Sequence, residues 1–85
     1  MNQQILNDII AERQRQDTKF GLQNHSPEKW LTILTEKVGE FATEVLDAPV
    51  YGTDTLMRAK MVQVAAVAVA VIEYLDRRAV LAGVE

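Results

Sequence analysis

Several residue types that enzymes commonly use are rare or missing in this sequence of 85 residues. It contains no cysteine, so a disulfide, a thiolate metal site and a cysteine nucleophile are all excluded. Its one serine, Ser26, stands directly before Pro27, where capping of a helix explains it without a catalytic role. The four glycines are scattered, so no glycine-rich phosphate loop is present.

Runs of basic residues are also lacking. The formal net charge is -3 at pH 7 and the sequence pI is about 5.1, which argues against a nucleic-acid-binding surface. The first ten residues, MNQQILNDII, have neither the positive flank nor the long apolar run of a signal peptide. We therefore expect a cytoplasmic protein that binds neither nucleic acid nor a membrane.

Hydrophobic residues, in contrast, are abundant, at 48% of the chain. Their periodicity predicts an all-α fold with three helices, over residues 2–17, 27–46 and 54–78, in a single domain that spans residues 1–85. A chain this short buries a smaller fraction of its surface than a longer one, and it has no disulfide to compensate. Oligomerisation is the natural route to stability for such a chain.

The third predicted helix is apolar on every side. Each residue of 64–72 is hydrophobic, and a helix of that kind must be buried all round. The run is too short to span a bilayer, and Lys60, Gln63 and Glu73 interrupt it. Because two other helices can hardly surround it, we expect a partner subunit. The three-helix chain would assemble into an oligomeric four-helix-type bundle, a homodimer or a tetramer.

The second predicted helix has one apolar and one acidic side. Its apolar face consists of Trp30, Leu31, Leu34, Val38, Phe41, Ala42 and Val45, and the opposite side carries Lys29, Ile33, Glu36, Glu40, Glu44 and Asp47. Carboxylates at i and i+4 repel each other. The acidic side is therefore either a solvated face or a site for a hard cation such as Mg²⁺, which prefers oxygen ligands. Glu36 and Glu40, one turn apart, could reach the same ion.

Other polar side chains each leave two interpretations open. His25, in the loop GLQNHSP, could contact a phosphate or act as an acid or base near neutral pH, or it could simply hydrogen-bond the backbone near a helix start. Gln23 and Asn24 share this ambiguity. We expect Trp30 and Tyr74 to pack in the core, because their neighbours are apolar. Stacking against a nucleotide base is the alternative. The basic residues Arg13, Arg15 and Lys19 could contact phosphates. They could equally form a solvated helix face with local ion pairs.

Two stretches, ERQRQDTKFGLQNHSPEKWLTILTEKVGE and MRAKMVQVAAVAVAVIEYLDRR, resemble the small all-α nucleoside triphosphate pyrophosphohydrolases of the MazG-like type. The resemblance covers residues 9–78. It implies hydrolysis of a nucleoside or deoxynucleoside triphosphate to the monophosphate and pyrophosphate, with Mg²⁺ or Mn²⁺ as the metal. It further implies an E-E-x-x-E motif on one helix and E-x-x-D on the next as metal ligands, in a dimer or tetramer.

This sequence matches the metal motif only in part. Glu36 and Glu40 match the first and last acids of E-E-x-x-E, and the resemblance makes them the catalytic and metal-binding carboxylates. Lys37 stands in place of the second acid, and Lys60 and Gln63 replace the acids of E-x-x-D. Gln63 still offers a carbonyl oxygen as a ligand, whereas the ammonium of Lys60 has none. A unit charge pair about 4 Å apart near a protein surface is worth about 4 kcal/mol, so these lysines would weaken Mg²⁺ binding.

Three functions are compatible with these residues. The first is the Mg²⁺-dependent pyrophosphohydrolase, with Lys19, Asn24, His25 and Lys60 as nucleotide contacts. The second is a catalytically impaired relative that binds a nucleotide or a protein as a helical dimer. The third is a purely structural helical oligomer. The sequence does not fix the base or sugar preference, or whether a partner subunit completes the site.

Overall fold

The computed structural model describes residues 1–47 and 53–83. Within these residues all regular structure is helical, and no strand is present. The helices are α1 (Gln3–Phe20), α2 (Pro27–Asp47) and α3 (Thr53–Leu81). The predicted all-α fold with three helices is confirmed, and the assembly into a bundle stays a prediction.

Helix α1 continues beyond the predicted end at residue 17. The side chain of Asn2 caps its start by accepting a hydrogen bond of 3.0 Å from the backbone N–H of Ile5. At its end Gly21 has φ of 70°, and its N–H donates to the carbonyl of Asp17 at 2.8 Å. Glycine adopts this positive φ without steric cost, so it can end a helix. Because the chain has no helix breaker before Gly21, α1 extends to Phe20.

Helix α2 starts where its local signals predict. The Ser26 hydroxyl accepts a hydrogen bond of 3.2 Å from the backbone N–H of Lys29, and Pro27 is the first helical residue. Pro49 and Gly52, two helix-breaking residue types that stand between the second and third predicted helices, lie outside the described residues. Helix α3 ends at Leu81, three residues later than predicted.

Helix α3 is central, and both α1 and α2 pack against it. The core is small: Trp30 from α2 packs with Val67 and Ala70 from α3. Ile33, Leu34, Val71 and Tyr74 surround this cluster and are partly buried. Trp30 and Tyr74 therefore belong to the core, as their apolar neighbours in the sequence indicated.

One side of α3 is not covered by the other residues that the structure describes. The side chains of Met61, Ile72 and Leu75 are 43%, 58% and 45% exposed. These three residues and three alanines recur along α3 at alternating intervals of four and three residues, so they form one line along the helix. In order, the six are Met61, Ala65, Ala68, Ile72, Leu75 and Ala79. We call these six residues the α3 seam. The neighbouring helix α2 exposes Leu31, Val38 and Val45 at intervals of seven residues.

By length and composition, α3 could cross a membrane. Its segment Asp54–Leu81 contains a window with a mean hydropathy of 1.6, of which 17% is buried. This window is longer than the run 64–72, and the expectation that α3 does not span a bilayer stays a prediction. The core helix of a soluble bundle meets the same criterion, so the finding does not separate a lipid environment from a protein partner.

Candidate functional site

A groove of about 370 Å³ lies between α1 and α2. Its charged lining consists of Arg15 and Lys19 from α1, and Lys29, Glu36 and Lys37 from α2. Uncharged lining comes from Gln16, Phe20, Gln23, His25, Trp30, Ile33 and Val67. We call this the cationic groove, because four of its five charged side chains are basic on a chain of net charge -3.

Helical spacing explains why these side chains meet. Arg15 and Lys19 are four residues apart on α1, and Lys29, Ile33 and Lys37 continue the same spacing on α2. Residues four apart lie on one face of a helix. The groove therefore forms where the basic face of α1 and the basic edge of α2 flank α3, against which both helices pack. It includes three residues that the sequence proposed for the site: Lys19, His25 and Glu36.

The four basic groups of the groove differ in their partners. Arg15 binds Glu12 through two hydrogen bonds of 2.9 and 2.6 Å. This guanidinium lowers the pKa of Glu12, although partial burial of the carboxylate opposes the effect. The ammonium of Lys19 lies 5.1 Å from the centre of the Phe20 ring. No carboxylate of residues 1–47 or 53–83 lies within ion-pair distance of Lys29.

The loop between α1 and α2 is held by α3. Arg77 donates hydrogen bonds of 3.2 Å to the carbonyl of Gln23 and 3.1 Å to Oδ1 of Asn24. Asn24, proposed as a nucleotide contact, is therefore bound to α3 and does not line the groove. His25 does line it; its Nε2 lies 3.2 Å from Nε2 of Gln23, and its ring packs edge-on against Trp30.

The acidic row of α2 is partly neutralised by lysines. Oε2 of Glu40 lies 3.2 Å from Nζ of Lys37, and Oε1 lies 3.4 Å from Nζ of Lys60 on α3. Partial loss of solvent raises the pKa of Glu40, but the two ammonium groups outweigh it and hold the pKa below its usual value. Both carboxylate oxygens thus already face a positive charge. We call Lys37, Glu40 and Lys60 the lysine–glutamate cluster.

The donor set does not fit a bound Mg²⁺ ion. In the described part of the chain, no group of three or more histidine, aspartate or glutamate side chains is close enough to hold a metal. Glu36 is exposed at the groove, whereas Glu40 is engaged by ammonium groups that offer no ligand atoms. The ligand set of Glu36, Glu40 and Gln63 stays a prediction.

One polar network was not anticipated from the sequence. Arg13 is 13% exposed and bonds Glu73 of α3 at 2.8 Å. It also bonds Gln16 at 3.2 Å and Asp17 at 3.1 Å, and Gln16 is only 5% exposed. Arg13 therefore joins α1 to α3, and it is neither a solvated residue nor part of the groove. Its position in the run ERQRQD gave no signal of this, because the partner Glu73 is distant in sequence.

No protein-family model, curated protein or solved structure matches this chain. The resemblance to MazG-like pyrophosphohydrolases thus depends on the residues of the sequence alone.

Proposed function

We propose that the chain binds the phosphate groups of a nucleoside or deoxynucleoside triphosphate in the cationic groove. The observation that carries this proposal is the concentration of four basic side chains around one groove of an otherwise acidic chain. Arg15 and Lys37 are paired with carboxylates, whereas Lys19 and Lys29 are in no ion pair with the described residues. Clustered cations in a groove attract polyanions, and ammonium and guanidinium groups are the usual donors to phosphate oxygens. The groove volume of about 370 Å³ lies within the usual range for small-molecule sites.

The resemblance to MazG-like proteins favours a nucleotide over other polyanions. The segment TKFGLQNHSPEKW carries much of that resemblance, and it supplies half of the groove lining. The apolar walls, Phe20, Trp30 and Ile33, suit the base and sugar of a nucleotide better than a purely inorganic ligand.

Binding without efficient hydrolysis is the better supported of the two predicted activities. A MazG-like enzyme needs its carboxylates for a metal, and here both oxygens of Glu40 face lysines. One observation favours Mg²⁺-dependent pyrophosphate release as the second candidate: Glu36 lines the groove beside the proposed phosphate position.

We also infer that the chain forms a homodimer through the α3 seam and the exposed face of α2. The accessible surface of one chain is 6126 Å², whereas a compact monomer of 9.5 kDa exposes about 5,000 Å². The excess of roughly 1,000 Å² is comparable to the area of about 800 Å² that each partner buries in a stable complex. A two-fold axis would bring α2 and α3 of both copies into a four-helix-type bundle in the cytoplasm.

The binding test uses Trp30, which is the only tryptophan and lines the groove. Its fluorescence is followed during titration with ribo- and deoxynucleoside triphosphates, with Mg²⁺ and with chelator. We expect Lys29→Gln to weaken binding about 10- to 150-fold, because an ionic hydrogen bond to phosphate is worth about 1.5–3 kcal/mol. Arg78→Gln, which removes the same charge outside the groove, is the matched control and should not change the affinity.

Pyrophosphate release measured on the same panel separates the two activities. Nucleotide binding without release supports the impaired relative. Metal-dependent release that is lost in Glu36→Gln establishes the enzyme. If no triphosphate binds under any condition, or if both variants weaken binding equally, the cationic groove is not the site and the proposal is wrong.

A further inference from the structure

We propose that Lys37 and Lys60 occupy the place of a divalent cation beside Glu40, so that the groove binds its phosphate ligand without Mg²⁺. The choice of ligand rests on the proposed function above. The lysine–glutamate cluster can be tested without any nucleotide.

The geometry of the cluster is that of a carboxylate held between two cations. Lys37 approaches Glu40 from the same helix at 3.2 Å, and Lys60 approaches from α3 at 3.4 Å, each at a different oxygen. The side chains of Lys37 and Lys60 are only 30% and 27% exposed, so both ammonium groups are partly withdrawn from water. The cluster therefore joins α2 to α3 as a shared cation would.

The charges of the cluster oppose a metal. Two ammonium groups and one carboxylate leave a net positive charge, whereas Mg²⁺ sites are built from carboxylates and water. To ligate Mg²⁺ at about 2.0–2.1 Å, Glu40 would have to release both lysines, whose charges would then repel the ion. The nearby Glu36 alone does not restore a negative site.

The cluster is continuous with the cationic groove through one residue. Lys37 contacts Glu40 and also lines the groove beside Glu36. The pKa of Glu12 on α1 is lowered chiefly by Arg15, and to a smaller extent by Lys37, which places the charge of Lys37 close to the α1 side as well. A phosphate in the groove therefore meets an ammonium group at the position where a MazG-like enzyme offers an acid for its metal.

The consequence concerns the form of the ligand. A triphosphate that carries Mg²⁺ has lost part of its negative charge and brings a cation towards Lys37. The metal-free triphosphate keeps its full charge for the lysines. We expect the wild-type protein to bind ATP in EDTA at least as tightly as in Mg²⁺, whereas a metal-dependent site would lose at least tenfold.

The direct test measures Mn²⁺ binding to the full chain in the absence of nucleotide, by the electron paramagnetic resonance of free Mn²⁺. We expect no binding by the wild-type protein at millimolar Mn²⁺. The double variant Lys37→Glu/Lys60→Glu places carboxylates at both positions. We expect it to bind Mn²⁺ with a dissociation constant at least tenfold below the millimolar range. Lys37→Gln/Lys60→Gln removes the lysines without adding ligands, and Arg78→Glu adds negative charge elsewhere; neither should gain Mn²⁺ binding.

Each outcome decides a separate point. Mn²⁺ binding by the wild-type protein, or ATP binding that requires Mg²⁺, overturns this inference and leaves the proposed function intact. A folded Lys37→Glu/Lys60→Glu variant, checked by circular dichroism, that still fails to bind Mn²⁺ shows that the lysines do not stand in a cation's place. If that variant unfolds, the wild-type Mn²⁺ and ATP titrations alone decide. Absence of ATP binding both in Mg²⁺ and in EDTA overturns the proposed function and, with it, the role of the lysines towards phosphate.

Discussion

Truncation of Ile72 is expected to weaken the proposed dimer strongly. Ile72 lies in the middle of the α3 seam and is 58% exposed in the single chain. Full burial of an isoleucine side chain stabilises by about 1.5–3 kcal/mol, so burial of this exposed part in an interface is worth about 1–1.7 kcal/mol. A two-fold interface contains the residue twice, which brings the total to about 2–3 kcal/mol.

This free energy corresponds to a dimer dissociation constant raised about 30- to 150-fold in Ile72→Ala. Alanine keeps the helix intact, because it has the highest helix propensity. Sedimentation equilibrium over a range of protein concentrations measures the constant directly. Val80→Ala removes a side chain that is 73% exposed on the same helix but outside the seam, and this control should leave the constant unchanged.

Two results would refute the reasoning. A wild-type protein that remains monomeric at about 100 μM has no such interface, because a standard interface of this size gives tighter association. An unchanged constant in Ile72→Ala would show that the chain associates through another surface. A wild-type protein that requires detergent to stay in solution would instead point to lipid as the environment of α3.

Three further measurements test the network and the charges. Arg13→Met should destabilise the fold by about 1–2 kcal/mol in urea denaturation, since Glu73 loses its partner, whereas Arg78→Met should cost less than about 0.5 kcal/mol; equal losses would contradict the role of Arg13. The lowered pKa of Glu12 means that its ion pair stabilises the fold above the carboxyl's usual pKa and is lost as the pH falls through the lowered value. The melting temperature should thus fall less on acidification in Glu12→Gln than in the wild type, and parallel curves would contradict this. Addition of Mg²⁺ or EDTA should leave the wild-type melting temperature unchanged, and a rise with Mg²⁺ would reveal a bound metal.

Local sequence signals predicted the start of α2 well. Ser26 and Pro27 act on the backbone of the next few residues, so no tertiary information is needed. The end of α1 was placed at residue 17, three residues before its observed end at Phe20. A helix continues until a residue stops it, and the polar residues before Gly21 do not.

Periodicity predicted which residues form the apolar face of α2, but not which of them are buried against α3. Trp30 is buried against α3, as the sequence indicated, whereas Leu31, Val38 and Val45 from the same face stay exposed in the single chain. Ile33, assigned to the opposite side, packs against the core. The helical repeat gives the direction of each side chain, and the crossing of α2 over α3 decides which part of a wide apolar face is covered.

The lining of the cationic groove was likewise only partly predictable from the sequence. Lys19, His25 and Glu36 were proposed from the sequence and do line the groove, whereas Lys29 was assigned only to the polar side of α2. Its place in the groove depends on how α1 and α2 pack on α3, which no local pattern encodes. Asn24 does not line the groove, because its side chain accepts a hydrogen bond from Arg77, a residue far along the chain.

The acidic row of α2 would be unfavourable on its own, since carboxylates one turn apart repel each other. In a MazG-like enzyme a metal would compensate this repulsion. Each exchange of an acid for a lysine changes the local charge by two units, so lysines at positions 37 and 60 together change it by twice the charge of one Mg²⁺ ion. Glu40 is bonded to both lysines, and their charges offset its repulsion from the neighbouring carboxylates of the row. Under the proposed function, the two lysines provide a basic surface that adjoins the groove, and ammonium groups bind phosphate oxygens without a metal.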